Sequence, residues 1–235
     1  MPAVPAAHPD HPQRCQVCAA RQTCLVGQLP RPLQERLDPL IREVDFRKGE
    51  SLLTEGVDPV VVCTIKLGTV MLTRAGPDRV SRPVALVGRG HLLGMWGLLA
   101  KSTQVGAQAL SAGRVCELPA AALRNTLGKD PALLDTLHNQ MALTFARLAD
   151  WSQVMRLRGL PRQLVATLLL LAHEQGTRAA LLPSHVALAA LLSTTRESVA
   201  RTLRQLEDRG HLRRNDRWHG ELTDSHLEVF QDEGP

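Results

Sequence analysis

Two short helical segments joined by a tight turn are predicted by the run SHVALAALLSTTRESVARTLRQL, residues 184–206. Ser184 can cap the first segment, whose apolar residues recur at helical spacing. After a turn at Ser193, Thr194 and Glu197 stand in the reciprocal positions of a capping box, which predicts the start of the second segment. The pattern as a whole is typical of a helix-turn-helix.

The second segment has two contrasting faces. Its apolar face is predicted to be buried and carries Val199, Leu203 and Leu206. The opposite face presents Arg196, Glu197, Ala200, Arg201 and Arg204. Arginine can contact guanine with two hydrogen bonds and glutamate can accept one from cytosine N4, so this face is predicted to read the major groove of double-stranded DNA. The alternative is a solvated face, which runs of charge on a helix usually are.

The amino-acid composition is consistent with binding to double-stranded nucleic acid. The net charge is +5 and the pI is near 9.3, which fits a polyanion. Aromatic residues make up only 3% and tyrosine is absent, which argues against the stacking surfaces of single-strand binders. The run RRNDRWHG, residues 213–220, predicts a hairpin wing with side chains suited to phosphates. No phosphate loop, carboxylate pair or Ser/His/Asp arrangement stands out, so no enzyme is expected.

A long helix is predicted ahead of this motif. Asp130 can cap it with Pro131 in the first helical position, and the run Gly159-Leu160-Pro161 ends it. Its apolar positions follow alternating steps of three and four residues, as in a coiled-coil seam: Leu134, Leu137, Met141, Thr144, Leu148, Trp151 and Met155. The length of the helix favours a homodimer contact, and the alternative is that the stripe packs on the preceding domain.

Short apolar runs alternate with glycine-bearing turns between residues 45 and 119. Examples are 60–65, 69–72 and 84–87. Turn signals that recur about every 8–12 residues between short strands predict a compact β-barrel or roll.

Three of the five cysteines lie in the run CQVCAARQTC, residues 15–24. Three thiols leave one unpaired in any disulfide scheme, so this run predicts a metal or cluster site that lacks one ligand. The missing ligand is then Cys63 or Cys116. Four thiolates suit a zinc ion or an iron–sulfur cluster, and the spacing does not decide between them. Buried thiols that bind nothing are the remaining alternative.

The N-terminus, residues 1–14, is rich in Pro, Ala and His, and we expect a disordered lead there. It lacks the basic start and apolar stretch of a secretory signal. No apolar run approaches the ~18–20 residues that a membrane helix needs. We therefore expect no membrane partner and a cytoplasmic protein whose thiols stay reduced.

Over nearly its whole length the chain resembles the CRP/FNR family of bacterial transcription regulators. The resemblance rests on the run TRESVAR, residues 195–201, which matches the family pattern R-E-x-V-x-R, and on glycines typical of the β-roll: Gly49, Gly56, Gly68, Gly90 and Gly94. It implies an α+β fold with a β-roll sensor domain of the cyclic-nucleotide-binding type, a long dimerisation helix and a winged helix-turn-helix. The implied divisions are a lead and cysteine tract at 1–30, the sensor at 31–129, the dimerisation helix at 130–158 and the DNA-binding domain at 159–235.

The cysteines make the resemblance closest to FNR-type oxygen sensors. That resemblance implies a [4Fe-4S] cluster held by Cys15, Cys18, Cys24 and Cys116, with Cys63 left as a core thiol. It further implies that the intact cluster favours a dimer that binds a two-fold symmetric DNA site, that oxygen weakens this binding, and that RNA polymerase is a partner. The alternative keeps the DNA-binding regulator and replaces the cluster with zinc or a thiol-based redox site.

The chain departs from the family pattern in its ligand pocket. Cyclic-nucleotide binders of the family carry a Gly-Glu pair and an Arg-Ser pair around the ribose and phosphate. Here Met95 follows Gly94, and the run Val105-Gly106-Ala107 stands where Arg-Ser-Ala would. A cyclic nucleotide is therefore not expected.

Two further departures concern DNA reading and dimerisation. FNR-type proteins generally lack an arginine at the position of Arg196. We expect this residue to add a guanine contact and to shift the half-site from TTGAT towards a TGTGA-like or mixed sequence. Leu148 stands where the FNR type has an acidic residue in the seam, so dimerisation is expected to depend less on the cluster.

Overall fold

The computed structural model describes residues 15–127, 129–216 and 218–231. The predicted disordered lead, residues 1–14, lies outside them. Eight strands form the β-roll: β1 (Arg42–Phe46), β2 (Ser51–Leu53), β3 (Val61–Leu67), β4 (Val70–Ala75), β5 (Ser81–Val87), β6 (Leu92–Leu93), β7 (Gly106–Ala109) and β8 (Gly113–Pro119). They make two antiparallel sheets, ordered β1-β8-β3-β6 and β2-β7-β4-β5.

Apolar side chains of the strands meet between the two sheets. Ile65, Val70 and Val87 are fully buried there, beside Phe46 and Val115. β3, β4 and β5 each carry three or four consecutive buried residues, because both faces of these strands are covered by other parts of the chain.

Three short helices cover one side of the roll. These are α1 (Leu25–Gln28), α2 (Arg31–Leu37) and, directly after β8, α3 (Ala120–Leu127). Leu25, Leu29, Leu33 and Leu37 recur every four residues and share one buried cluster with apolar residues of the roll and of α3. The cysteine-bearing segment is therefore packed onto the roll as part of its core.

The long helix α4 (Pro131–Arg156) begins and ends as predicted. Oδ1 of Asp130 accepts a hydrogen bond from the backbone N–H of Ala132 at 3.1 Å, and Pro131 occupies the first helical position. Gly159 has φ +86°, a conformation that favours glycine, and α5 (Leu160–Gln175) starts directly after it. At about 1.5 Å per residue, the 26 residues of α4 span about 39 Å.

The C-terminal part is a winged helix-turn-helix. It contains α5, β9 (Ala179–Leu181), α6 (His185–Leu191), α7 (Arg196–Asp208), β10 (Leu212–Arg214), β11 (His219–Leu222) and α8 (Glu228–Gln231), and its sheet has the order β10-β11-β9. Its core includes Leu164, Leu188 and Val199 and continues through Trp151 of α4 to Leu86 of the roll. The C-terminal part thus packs directly on the β-roll.

Among the described residues, no helix is both long and apolar enough to cross a membrane.

Candidate functional site

The four cysteines of the predicted ligand set line one cavity. Cys15, Cys18 and Cys24 come from the turns that precede α1, and Cys116 comes from β8. The sequence separates these two segments widely, and the packing of α1 and α2 on the roll brings them together. Cys63 is not among the lining residues, because it is buried between the sheets with Ile65 and Leu93.

The walls of this cavity are largely apolar. They are formed by Ala20, Leu25, Val26, Ile41, Val62, Leu92, Leu118 and Leu123, together with Thr64 and Lys66. Lys66 forms an ion pair with Glu43 at 2.5 Å at the edge of the site. Burial lowers the pKa of Lys66, but the hydrogen bond and charge of Glu43 outweigh this and leave the pKa raised. A cation next to four thiols suits a site that becomes negatively charged when the thiols ionise.

Burial raises the pKa of three thiols of the site, those of Cys15, Cys24 and Cys116. It raises the pKa of Cys116 to about 12, with the nearby charge of Glu43 adding to the effect. Burial also raises the pKa of Cys15, and a hydrogen bond to Asp38 raises it further. The pKa of Cys24 is raised by burial as well, although the backbone N–H of Gly27, which donates to Cys24 Sγ at 3.1 Å, opposes the shift. These three thiols would therefore have to release their protons to solvent when a metal group binds.

The four thiols line one common cavity. In the described part of the chain, no three His, Cys, Asp or Glu residues are grouped closely enough to hold a single metal ion. A tetrahedral zinc site needs four sulfur atoms at about 2.3 Å from one ion. A four-iron cluster distributes its four thiolates over separate iron atoms, so its ligands stand further apart. Four thiols on largely apolar walls are the donor set that a four-iron cluster takes.

The helix-turn-helix is held by side-chain caps at both helices. Ser184 caps α6 and accepts a hydrogen bond from the N–H of Ala187 at 3.3 Å, as predicted. The predicted capping box of Thr194 and Glu197 is wrong. Thr195 is the N-cap of α7, and its hydroxyl accepts from the N–H of Ser198 at 3.1 Å. The helix starts one residue later than the box requires, because Ser193 takes up a left-handed conformation with φ +51° and Thr194 still belongs to the turn.

The outward face of α7 carries the predicted groove-reading residues. Val199, Leu203 and Leu206 are buried against the domain core. On the other side Arg196, Glu197, Arg201 and Arg204 are exposed and Ala200 is half-buried. Within the described residues, no carboxylate pairs with any of these three arginines, so their guanidinium groups are available to a ligand.

Arg213 and Arg214 of the wing are paired with carboxylates, unlike the arginines on the outward face of α7. Arg213 forms an ion pair with Glu221 at 2.7 Å, and Arg214 with Glu207 at 2.5 Å. Asp216 closes the hairpin by accepting backbone hydrogen bonds from Trp218 and His219. Arg217, also part of the predicted wing, lies outside the described residues.

The predicted seam of α4 divides between the inside and the outside of the subunit. Leu137 is buried against α1 and α2, and Trp151 is buried beside β5, where its Nε1–H donates to the carbonyl of Pro83 at 3.1 Å. Leu148 packs in part on the core of the roll. The exposed members are Leu134, Met141 and Met155.

Phe145, which the sequence pattern did not single out, completes the exposed stripe and is 67% exposed. Leu134, Met141, Phe145, Leu148 and Met155 follow the same steps of three, four and seven residues as a coiled-coil seam. α4 thus has an inward apolar stripe with Leu137 and Trp151 and an outward one with Met141 and Phe145. Both follow a coiled-coil spacing, so only the fold shows which of them faces inward.

Comparisons with known proteins agree with this architecture. The family model for a cyclic nucleotide-binding domain matches residues 43–130, and that for a Crp-like helix-turn-helix domain matches residues 162–225. The chain is 28% identical over 132 residues to the fumarate and nitrate reduction regulatory protein of Vibrio cholerae, covering 54% of this chain and 52% of that protein. It is 25% identical over 168 residues to the electron transport regulator A of Shewanella oneidensis, covering 70% and 66%. The matched region thus spans about half of the first relative and about two thirds of the second.

The solved structure of FixK2 from Bradyrhizobium japonicum shares the fold. It superposes with a TM-score of 0.70 at 19% identity, over 83% of this chain and 98% of that one. The predicted fold class, with its β-roll, long helix and winged helix-turn-helix, is confirmed. The chain is therefore a member of the CRP/FNR family, which is a family of transcription regulators and not of enzymes.

Proposed function

We propose that this protein is a DNA-binding transcription regulator that senses oxygen or redox state through a [4Fe-4S] cluster bound by Cys15, Cys18, Cys24 and Cys116. One observation carries the proposal. Cysteines from two distant segments of the sequence line a single, mostly apolar cavity, while the fifth cysteine is sequestered elsewhere. Two of the relatives are named as regulators of fumarate and nitrate reduction and of electron transport, which supports a role in the choice of respiratory electron acceptor.

The residues of the cavity support a cluster rather than a thiol switch. A reactive regulatory cysteine needs thiolate character and access to solvent. Here burial raises the pKa of Cys116 to about 12 and also raises that of Cys15, so neither is a ready nucleophile. When bound, a [4Fe-4S] cluster would supply an oxygen-labile centre whose loss removes the link between the two cysteine segments.

The order of the cysteine segment is coupled to the long helix. Leu25, Val26 and Leu29 of this segment share a buried cluster with Leu133 and Leu137 of α4. Release of the segment would expose apolar surface on both sides of this contact, so holding the segment in place also stabilises the N-terminal half of α4. The state of the cysteines can thereby bias the helix that we propose as the dimer contact.

We infer a homodimer that is formed through the exposed stripe of α4. Phe145, Met141 and Leu134 lie on the solvent-exposed side of the helix and are 67%, 44% and 44% exposed. A parallel pair of such helices would set two α7 helices on one face of the dimer, as a two-fold symmetric DNA site requires. Leu148, which packs in part on the roll, borders this stripe, and we propose that dimerisation depends less on the cluster than in the FNR type.

DNA reading is assigned to the outward face of α7. Arg196 and Arg201 can each contact a guanine, Glu197 can accept from a cytosine, and Arg204 stands further along the same face. We also propose RNA polymerase as the partner of the DNA-bound dimer, as in other transcription regulators. A cyclic nucleotide is not proposed, since Met95 is partly buried against the core beside the cysteine site and Gly106 offers no side chain to a phosphate.

The decisive experiment is purification without oxygen, followed by iron and sulfide analysis and an absorption spectrum before and after exposure to air. About four irons and four sulfides per chain, with a broad band near ~400 nm that bleaches in air, are expected. Cys63→Ser is the matched control and should keep the same content. Zinc in place of iron, without a visible band, would refute the cluster and leave the DNA-binding assignment standing.

A further inference from the structure

A tight turn of the roll, residues 88–91, lies between the cysteine segment and the DNA-binding domain. It connects β5 to β6 and has the sequence Gly88-Arg89-Gly90-His91. The roll holds this turn firmly, because the N–H of Gly90 donates to the carbonyl of Ile65 at 2.8 Å and the N–H of Ile65 donates to that of His91 at 3.0 Å.

One side of the turn is bonded to helix α5 of the DNA-binding domain. The N–H of Gly88 donates to Glu174 Oε2 at 2.6 Å, and the N–H of Arg89 donates to the carbonyl of Glu174 at 3.2 Å. The other carboxylate oxygen of Glu174 accepts from Nε of Arg147 on α4 at 2.7 Å. The Glu174 side chain is only 4% exposed and that of Arg147 16%, so this is a buried ion pair that joins three parts of the molecule.

The other side of the turn touches the cysteine segment next to a predicted ligand. Thr23 directly precedes Cys24, and its carbonyl accepts a hydrogen bond from Nε2 of Gln140 on α4 at 3.0 Å. Gln140 is itself buried. Thr23 is therefore fixed between α4 and the turn.

Neither contact leaves room for a side chain in the turn. A Cβ atom at Gly88 would lie 2.3 Å from the carbonyl oxygen of Glu174, and one at Gly90 would lie 2.5 Å from Oγ1 of Thr23. Gly90 also has φ +84°, which disfavours any other residue. Gly90 is in close contact with Thr23, and Gly88 is in close contact with Glu174 of α5. A displacement of Thr23 towards the turn therefore has to move the turn or the cysteine segment, and the turn cannot move towards α5 without a steric clash.

We propose that the turn at residues 88–91 transmits the state of the cysteine segment to the DNA-binding domain within a single subunit, with Glu174 and Arg147 as the receiving pair. The inference rests on the proposed cluster at Cys24 and its partners. It adds a route that does not pass through the dimer contact. When the segment is released, Thr23 leaves Gly90, and the turn loses one of the contacts that position the N–H groups of Gly88 and Arg89, which both donate to Glu174. Because the Glu174 side chain is only 4% exposed, breaking its pair with Arg147 would leave a buried charge without its partner, so a displacement of the turn that disturbs this pair carries a large cost.

The test is the ratio of DNA affinities between cluster-loaded and cluster-free protein. For wild type a ratio of about tenfold or more is expected, as for typical allosteric coupling. Glu174→Gln keeps the shape of the side chain but removes its charge, and should reduce the ratio to less than about twofold with unchanged iron and sulfide content. Asp78→Asn is the matched control, since it removes a carboxylate from the exposed Arg82 ion pair at the distant β4–β5 hairpin. A Glu174→Gln protein that keeps the wild-type ratio would overturn the proposal.

A second measurement does not depend on the stability of that variant. Amide hydrogen exchange of the wild-type protein should accelerate at Gly88, at Arg89 and in the last turns of α5 when the cluster is removed. Unchanged exchange at these amides, with a protein that gains and loses iron normally, refutes the route and leaves the cluster function intact. Absence of iron from the wild-type protein refutes the cluster and the route together, and the metal analysis identifies which case applies.

Discussion

The cysteine site and the outward face of α7 are built in opposite ways. The cysteine site is assembled from two segments far apart in the sequence and is enclosed by apolar walls, and burial raises the pKa of its Cys15, Cys24 and Cys116 thiols. The α7 face comes from one continuous helix, is exposed, and carries permanent charge without carboxylate partners in the described chain. The cysteine site depends on the whole fold, so the loss of one ligand is expected to abolish binding of the metal group. The α7 face is local, so single substitutions are expected to reduce DNA affinity in part.

The largest effect should come from removing one cysteine ligand. Cys116→Ser leaves three thiols around the cavity, and we expect iron and sulfide to fall from about four per chain to a small remainder. The fold of the helix-turn-helix should be unaffected, because Cys116 lies in β8 of the roll. Iron analysis of Cys116→Ser beside Cys63→Ser checks this, and equal losses in both variants would contradict the ligand assignment.

The next effect concerns the exposed stripe of α4. Phe145→Ala removes a large apolar side chain that we assign to the dimer contact, at a cost of about 1.5–3 kcal/mol for each copy. Dimerisation should weaken by more than about tenfold without loss of thermal stability of the subunit. Sedimentation of the variant at micromolar concentration measures this. Trp151→Ala is the contrasting variant, since Trp151 is buried inside the subunit and its loss should lower the melting temperature instead.

A smaller and sequence-dependent effect is expected at Arg196. Arg196→Val removes one guanine contact, worth about 1–3 kcal/mol of discrimination at one base pair. A binding selection should show the preferred half-site moving from a TGTGA-like or mixed sequence towards TTGAT. The same preference in variant and wild type would refute the assigned contact.

The smallest effect is expected in the wing. Arg213 is already paired with Glu221 at 2.7 Å, so a phosphate must compete with that carboxylate. Arg213→Ala should therefore weaken binding to all DNA sequences alike by less than about 1 kcal/mol, and reduce the salt dependence by about one phosphate contact. Titrations at several salt concentrations separate this from the Arg196 effect, and a change in sequence preference would place Arg213 in a groove instead.

The sequence was informative wherever structure follows from local periodicity. The caps at Ser184 and Asp130, the break at Gly159 and the buried face of α7 all depend on neighbouring residues, and the structure confirms them. The helix start at Thr195 was missed by one residue, because Thr194 and Thr195 offer the same cap chemistry and only the φ of Ser193 distinguishes them.

Features that depend on distant contacts could not be read from the sequence. Both apolar stripes of α4 satisfy a coiled-coil spacing, so the inward position of Trp151 and the outward position of Phe145 follow only from the packing of the roll. Glu174 and Arg147 resemble ordinary surface charges in the sequence, and their burial arises from the approach of α5 to β5. The prediction that Cys116 joins the N-terminal cysteines came from the family resemblance, because the cysteine spacing alone left Cys63 and Cys116 as equal candidates.

The sulfur of Cys24 also serves as the N-cap of α1, where it accepts the N–H of Gly27 at 3.1 Å. A thiolate is a stronger acceptor than a thiol, and ligation to iron withdraws part of its charge. The chemical shift and exchange rate of this one amide proton therefore depend on the chemical state of the sulfur. The amide of Gly27 is thus an intrinsic spectroscopic reporter of the Cys24 sulfur.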